Sequence, residues 1–147
     1  TSFISSTFWT ERIGPTAALK TLEVMKKERS WERITSTGLE LRSRWQELAK
    51  KHNLRITNTG IPSLTGFAFE SNRALEYKTL ISQEMLKEGY LAANSCYISI
   101  AHTPTIIDQY LDKLDKIFGL IAKCEDGLPI ESLLESPVCH GGFKRLN

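Results

Sequence analysis

The 147-residue chain lacks any apolar run of the roughly 18 residues that a transmembrane helix needs. Its beginning shows no basic stretch followed by an apolar stretch, so no secretory signal and no membrane partner are predicted. It has only three cysteines and no CxxC spacing, which excludes a disulfide framework and a zinc knuckle and favours a reducing, cytoplasmic location. The first residue is Thr1 rather than methionine, which indicates a processed start or a piece of a longer chain.

An excess of charge of one sign is also missing. The chain has 19 Lys+Arg and 17 Asp+Glu, a formal net charge of +2. Acidic and basic residues interleave between Glu11 and Lys51, which is typical of a solvated helix face rather than of a phosphate-binding stripe. A nucleic-acid binder using Arg42, Arg44, Lys50 and Lys51 is therefore a minor hypothesis, and no nucleic-acid partner is expected.

The common catalytic signatures GxGxxG, GxSxG, the P-loop and HExxH are absent. Cys139 and His140 are adjacent, but no second pair of ligands accompanies them, so no metal site is predicted. His52 ends a charged helix and is expected to be solvated. His102 precedes a helix start, where a hydrogen bond to backbone is the more common role.

Apolar spacing predicts four helices. The first follows Gly14-Pro15, and the third runs from Ala74 to Glu88. The fourth begins at Thr103-Pro104, where a capping hydroxyl precedes a proline suited to the first turn. The second helix is predicted to be capped by Ser30 and ended by Asn53. Its apolar stripe has residues three and four apart, and its two tryptophans are expected in the core: Trp31, Ile34, Gly38, Leu41, Trp45 and Leu48.

Short extended segments separate these helices: Leu54–Thr57, Leu64–Phe69, Tyr90–Ala93 and Tyr97–Ala101. A break is expected at Gly60-Ile61-Pro62. Helices alternating with short strands predict an α+β, two-layer fold, with a short antiparallel or mixed sheet and helices on one face. Residues 125–147 are interpreted as a tail, with a short helix near Ile130–Leu134.

Three motifs in order then indicate a family. The run from Ser6 to Leu19 (STFWTERIGPTAAL) resembles the S-T-F…P-x-A-A-A-L stretch of class III, fold-type I pyridoxal-phosphate aminotransferases. The run Tyr97–Thr103 (YISIAHT), followed by Ile107-Asp108, is similar to the F-x-S-x-A-H-T-x-x-D-I run of the glutamate-1-semialdehyde aminomutase-like branch. The end of the chain, GFKRL at 142–146, resembles relatives tied to surface-polysaccharide synthesis.

This resemblance covers nearly the whole chain and implies the C-terminal small domain of such an enzyme. Residues 1–124 would form that domain, with 1–29 linking it to a large domain that carries the Schiff-base lysine. The resemblance also implies that Thr7 contacts the cofactor phosphate of the neighbouring subunit, with Ser6 and Phe8 contributing only backbone groups. The isolated chain is then expected to leave Thr7 disordered or unliganded, to bind no pyridoxal phosphate and to be inactive alone.

One residue departs from the branch. Asn94 stands where semialdehyde aminomutases usually have a glutamate, in the F-E-x-G-F segment. Because a neutral amide replaces the acid, the mutase reaction is in doubt, and amino transfer to a sugar-related or other carbonyl substrate is favoured. Asn94 is therefore a candidate substrate contact, whereas His102 is interpreted as structural.

The leading hypothesis is a C-terminal piece of a cytoplasmic, dimeric aminotransferase whose partners are its own large domain and a second subunit. The alternative is a non-catalytic α/β interaction module that is stable by itself. The upstream reading frame, or the mass of the native protein, distinguishes the two.

Overall fold

The computed structural model describes residues 11–142. Thr7, Ser6 and Phe8 lie outside these residues, as does most of the GFKRL motif. The elements follow one another in this order: α1 (Ile13–Glu28), α2 (Ser30–Lys51), β1 (Ile56–Ile61), β2 (Leu64–Phe69), α3 (Ala74–Lys87), β3 (Ser95–Tyr97) and α4 (Pro104–Glu125), with a 3₁₀ turn at Ile130–Ser132.

The sheet has three antiparallel strands in the order β1-β2-β3. Thr65, Phe67 and Phe69 of β2 are buried on the face that meets the helices, while Leu64 and Ala68 point away and are exposed. Helices α2, α3 and α4 cover this one face. The predicted α+β fold class is confirmed, and of the two sheet types expected the antiparallel one is correct.

Aromatic rings form the centre of the core. The Phe67 ring lies 4.9 Å from the Trp45 ring and 5.7 Å from the Phe118 ring, centroid to centroid, with both pairs edge-on. Phe69 extends the cluster to Tyr77 at 5.3 Å. Such edge-to-face contacts add about 0.5–1.5 kcal/mol per pair beyond burial of area. The cluster therefore joins β2 to α2, α3 and α4.

The apolar stripe predicted on α2 meets this core over its C-terminal half. Leu41 and Trp45 are fully buried, and Gly38 is buried against the β1–β2 turn. The expectation that both tryptophans lie in the core is wrong for Trp31, which is 50% exposed. Trp31 lies in the first turn of α2, and residues 11–142 leave about half of its surface uncovered.

Local boundaries differ from the sequence prediction in β1. Strand β1 begins at Ile56 because the Leu54 N–H still closes α2 by donating to the Ala49 carbonyl. It continues through Gly60 and Ile61, where a break was expected, since Gly60 adopts φ +74° and the chain reverses only at Pro62 and Ser63.

Two other expectations are corrected. Ser30 is the first residue of α2 rather than its cap: Arg29 occupies the cap position in a left-handed conformation, and the buried Ser30 hydroxyl makes no hydrogen bond within the described residues. The segments 90–93 and 98–101 are not strands. Only Ser95–Tyr97 pairs with β2, because the chain then turns so that the Ile98 N–H donates to the Ser63 carbonyl.

Helix α1 forms as predicted but buries none of its residues. Apolar side chains such as Ile13, Leu19 and Leu22 are exposed along it. The helix is joined to α2 through the left-handed Arg29. Because its apolar side chains lack cover among residues 11–142, α1 is the element with the most apolar surface available to other polypeptide.

The segment after α4 returns along α3. Ile130 is fully buried, Gln83 bonds the backbone of Leu133 and Glu135, and the Cys139 N–H donates to the Thr79 hydroxyl. The expected short helix is present as the 3₁₀ turn. Residues 125–140 therefore lie against the core helices.

Two buried or half-buried polar contacts join the helices. The Tyr77 hydroxyl donates to Glu125 at 2.7 Å, and burial, followed by this hydrogen bond, raises the pKa of Tyr77 to about 12. Asp115 of α4 accepts from Lys51 at 2.6 Å and lies 2.7 Å from His52 Nε2. The sequence suggested that His52 is solvated. This expectation is wrong, because His52 is bonded to Asp115.

The close approach of α2 to the hairpin predicts an intolerant glycine. A Cβ added to Gly38 would lie 1.9 Å from the Pro62 carbonyl oxygen, a backbone atom. We expect Gly38→Ala to lower the free energy of unfolding by at least about 1–3 kcal/mol. Urea denaturation measures this change. The matched control is Gly14→Ala on α1, where a Cβ meets nothing within 4 Å. Helix propensity alone favours alanine by about 1 kcal/mol, so stabilisation by both variants would contradict this packing.

The Asp115 contacts predict a dependence of stability on acid pH. Its hydrogen bond from Lys51 lowers the pKa of Asp115 below its ordinary value of 3.8. The folded state therefore holds the proton less tightly than the unfolded state. The resulting stability is complete above about pH 4 and is lost as pH falls through the folded pKa.

We expect Asp115→Asn to lower the free energy of unfolding by about 1 kcal/mol or less at pH 7 and by a smaller amount at pH 2. Thermal unfolding midpoints at both pH values measure the difference. The control is Asp112→Asn on the exposed side of α4. Within the described residues, Asp112 forms no ion pair. An equal loss at pH 2 and pH 7 would show that the Asp115 carboxylate contributes no such linkage.

Candidate functional site

Asn94 is held at the edge of the sheet by both its backbone and its side chain. Its amide nitrogen donates to the Phe67 carbonyl at 2.8 Å, and its own carbonyl accepts from the Phe67 N–H at 2.9 Å. Gly66 permits this approach, since a Cβ there would lie 2.9 Å from the Asn94 carbonyl oxygen. The side chain thus fastens the segment before β3 to β2. The substrate contact suggested for Asn94 stays a prediction.

His102 and Thr103 shape the junction between β3 and α4. Nδ1 of His102 accepts from the Ser99 N–H at 2.9 Å, and the Thr103 hydroxyl accepts from the Ile106 N–H at the start of α4. The prediction that His102 bonds backbone is confirmed, and so is the capping role of Thr103 ahead of Pro104.

A cavity of about 300 Å³ lies beneath the segment that carries Asn94. Leu41 of α2 and Ile107 and Tyr110 of α4 form its inner wall, and residues 90–92 and 95–98 cover it. All of its lining residues except Leu41 lie between residues 90 and 110, but they come from β3, from α4 and from the segments around them, so no single motif marked the cavity. The only available signal was the number of tyrosines and isoleucines in residues 90–110.

Pyridoxal phosphate does not fit this cavity. The cofactor's phosphate is dianionic and calls for charge-assisted hydrogen bonds, whereas no lysine or arginine is among the residues that line the cavity. Burial raises the pKa of the Cys96 thiol and of the Tyr110 phenol, so both are neutral at physiological pH.

Of the four basic residues in the nucleic-acid hypothesis, Arg42, Arg44 and Lys51 are engaged within the protein, whereas Lys50 is exposed. Arg42 donates to the Thr65 hydroxyl and to the carbonyls of Thr59 and Gly60. Arg44 pairs with Asp108 at 2.6 Å, and Lys51 pairs with Asp115. These side chains fasten α2 to the hairpin and to α4 and do not form a basic stripe.

Clusters of metal ligands and membrane-spanning helices are both missing from residues 11–142. No group of three His, Cys, Asp or Glu residues there is placed to hold a metal ion, and Cys139 and His140 gain no further ligands. No helix in this part of the chain combines the length and apolarity that crossing a bilayer requires.

Two curated proteins similar to the chain are aminotransferases. No protein-family model matches the chain. The chain is 21% identical over 123 residues to an aminopentol aminotransferase of Sphingopyxis macrogoltabida, covering 82% of this chain and 29% of that protein. It is 22% identical over 127 residues to a 3-aminobutyryl-CoA aminotransferase of Cloacimonas acidaminovorans (strain Evry), covering 78% of this chain and 31% of that protein.

A solved structure shares the fold. The FumI protein of Sphingopyxis sp. MTA144, in its PLP internal aldimine form, superposes with a TM-score of 0.75 at 20% identity, covering 89% of this chain and 32% of that one. The predicted resemblance to pyridoxal-phosphate aminotransferases is confirmed at this level. The chain spans about 30% of the length of the curated relatives it matches.

The fastening by Asn94 predicts how a carboxyl at this position behaves. Asn94→Asp replaces the amide that donates to the Phe67 carbonyl with a carboxylate that only accepts. We expect a loss of about 1–3 kcal/mol at pH 7. At pH 3 the loss becomes smaller, because the introduced carboxyl gains a proton and donates again. Urea denaturation at pH 7 and at pH 3 measures the two losses of stability.

The control is Ser95→Asp, which places the same charge on the adjacent exposed residue. A loss at position 94 that does not shrink in acid would contradict the hydrogen bond described above.

Proposed function

We propose that this chain is the C-terminal small domain of a pyridoxal-phosphate-dependent aminotransferase. The observation that carries the proposal is the fold shared over 89% of the chain with the PLP form of the FumI protein. The aminotransferase relatives align over 82% and 78% of the chain. Pyridoxal phosphate, when bound, supplies the electron sink for amino transfer.

The described residues favour a structural role for this domain in the proposed enzyme rather than a catalytic one. The cavity beneath residues 90–98 does not fit the cofactor. The Schiff-base lysine is proposed to belong to polypeptide outside this chain. The domain contributes a rigid wall, built on the aromatic core and on the segment that Asn94 holds in place.

Helix α1 is proposed to dock on the large domain. It buries none of its residues here, although Ile13, Leu19 and Leu22 are apolar. Faces between domains are partly apolar, so this surface suits that contact. In the proposed homodimer Thr7, which precedes α1, donates to the cofactor phosphate of the neighbouring subunit, with the Ser6 and Phe8 backbone nearby.

The reaction is proposed to be amino transfer to a carbonyl substrate, with surface-polysaccharide metabolism as one setting. Support for transfer over mutase chemistry comes from Asn94, a neutral side chain that is engaged with the Phe67 backbone. A cytoplasmic location is proposed because Cys96, Cys124 and Cys139 are all free thiols.

The proposal predicts that the 147-residue chain alone does not hold the cofactor. After mixing with pyridoxal phosphate and borohydride, intact mass spectrometry should show no stoichiometric adduct at a single lysine. The FumI protein, solved in a PLP form, is the positive control. One adduct per chain at one lysine would place the catalytic lysine inside this chain and overturn the division of roles.

A second measurement separates the proposal from a stand-alone interaction module. The intact mass of the native gene product should exceed that of this chain by a large domain, and the longer product should absorb in the visible range of the cofactor. A native product of 16.6 kDa without that absorbance would favour the interaction module.

A further inference from the structure

We propose that the cavity beneath residues 90–98 binds an uncharged apolar chain that carries one oxygen atom, and that the Tyr110 hydroxyl donates a hydrogen bond to this oxygen. The inference does not rest on the proposed aminotransferase function.

The size and lining of the cavity set the kind of ligand. Its volume of about 300 Å³ is at the lower end of ligand pockets and suits a chain of about ten non-hydrogen atoms at roughly 30 Å³ each. Leu41, Ile98 and Ile107 line it with tyrosine rings, and the polar side chains in the lining besides the tyrosines are Ser95, Cys96 and His102. Because no Asp, Glu, Lys or Arg lines the cavity, no side chain of fixed opposite charge offsets the desolvation of a charged ligand.

The Tyr110 hydroxyl supplies the polar contact. Its oxygen accepts a hydrogen bond from the Trp45 indole nitrogen at 3.2 Å. Within residues 11–142 its own O–H has no acceptor. A half-buried phenol that accepts but does not donate retains an unmet donor, which is costly away from water. Since burial keeps the phenol protonated, a ligand oxygen would satisfy that donor.

The mouth of the cavity is apolar as well. Leu91 is 96% exposed and Tyr97 is 75% exposed, and both line the opening. Large apolar side chains at the rim are suited to contact the part of an apolar chain that extends from the cavity. The covering segment is held in place independently by Asn94, so the cavity exists before any ligand binds.

The test uses 1-hexanol as the probe, titrated into the 147-residue chain and followed by the methyl NMR signals of Ile98 and Ile107. Saturable shifts of these signals are expected. Hexylammonium, which has the same chain length but a positive charge, is the matched probe. Its affinity should be lower than that of 1-hexanol by about tenfold or more. Equal affinities of the two probes would overturn the proposal.

Variants locate the binding. Ala92→Leu enlarges a side chain that lines the cavity and should weaken 1-hexanol binding by about tenfold. Ala101→Leu, at an exposed position that is not among the lining residues, should leave it unchanged. Tyr110→Phe should weaken it by about fivefold.

Tyr110→Phe also removes the acceptor for the buried Trp45 nitrogen. If that variant does not fold, the comparison of Ala92→Leu with Ala101→Leu decides. The absence of saturable shifts, equal effects of the two alanine variants, or an affinity that falls as protein concentration rises would each overturn the inference. The last outcome would show that a second copy of the chain closes the cavity.

Discussion

The contacts of Phe67 hold the described part of the protein together. Its ring meets Trp45 and Phe118 edge-on at 4.9 and 5.7 Å, which joins the sheet to α2 and α4. Its backbone N–H and carbonyl both bond Asn94. One residue therefore links the core on one side of the sheet to the segment that covers the cavity. The rigidity of that segment follows from the same burial that stabilises the fold.

In the proposed enzyme, this domain supports catalysis without supplying the catalytic lysine. The described residues form a well-packed α+β layer, and no lysine or arginine lines its partly open cavity. At the same time α1 presents apolar side chains that the rest of the domain leaves exposed. Function depends on sites placed on folds rather than on the fold itself. In the proposed enzyme, the site is completed by polypeptide that docks on α1.

Sequence periodicity predicted the four helices and strand β2, because burial of one face imposes a spacing that local residues display. The Thr103-Pro104 start of α4 was predictable for a similar reason, since capping is a local interaction. Trp31 and Trp45 show the limit. Both lie on the same stripe of α2, yet only Trp45 is covered by β2 and α4. Which turns of a helix meet a sheet depends on the placement of the whole element.

The amino-acid sequence alone determined the element types, the amphipathic faces and the resemblance to aminotransferases, because these depend on neighbouring residues and ordered motifs. Tertiary structure decided the length of β3, the engagement of Asn94 with Phe67, the pairing of Arg44 and Lys51 with α4, and the cavity around Tyr110. Each of these joins residues distant along the chain, and their separation in space is set only when the helices pack on the sheet.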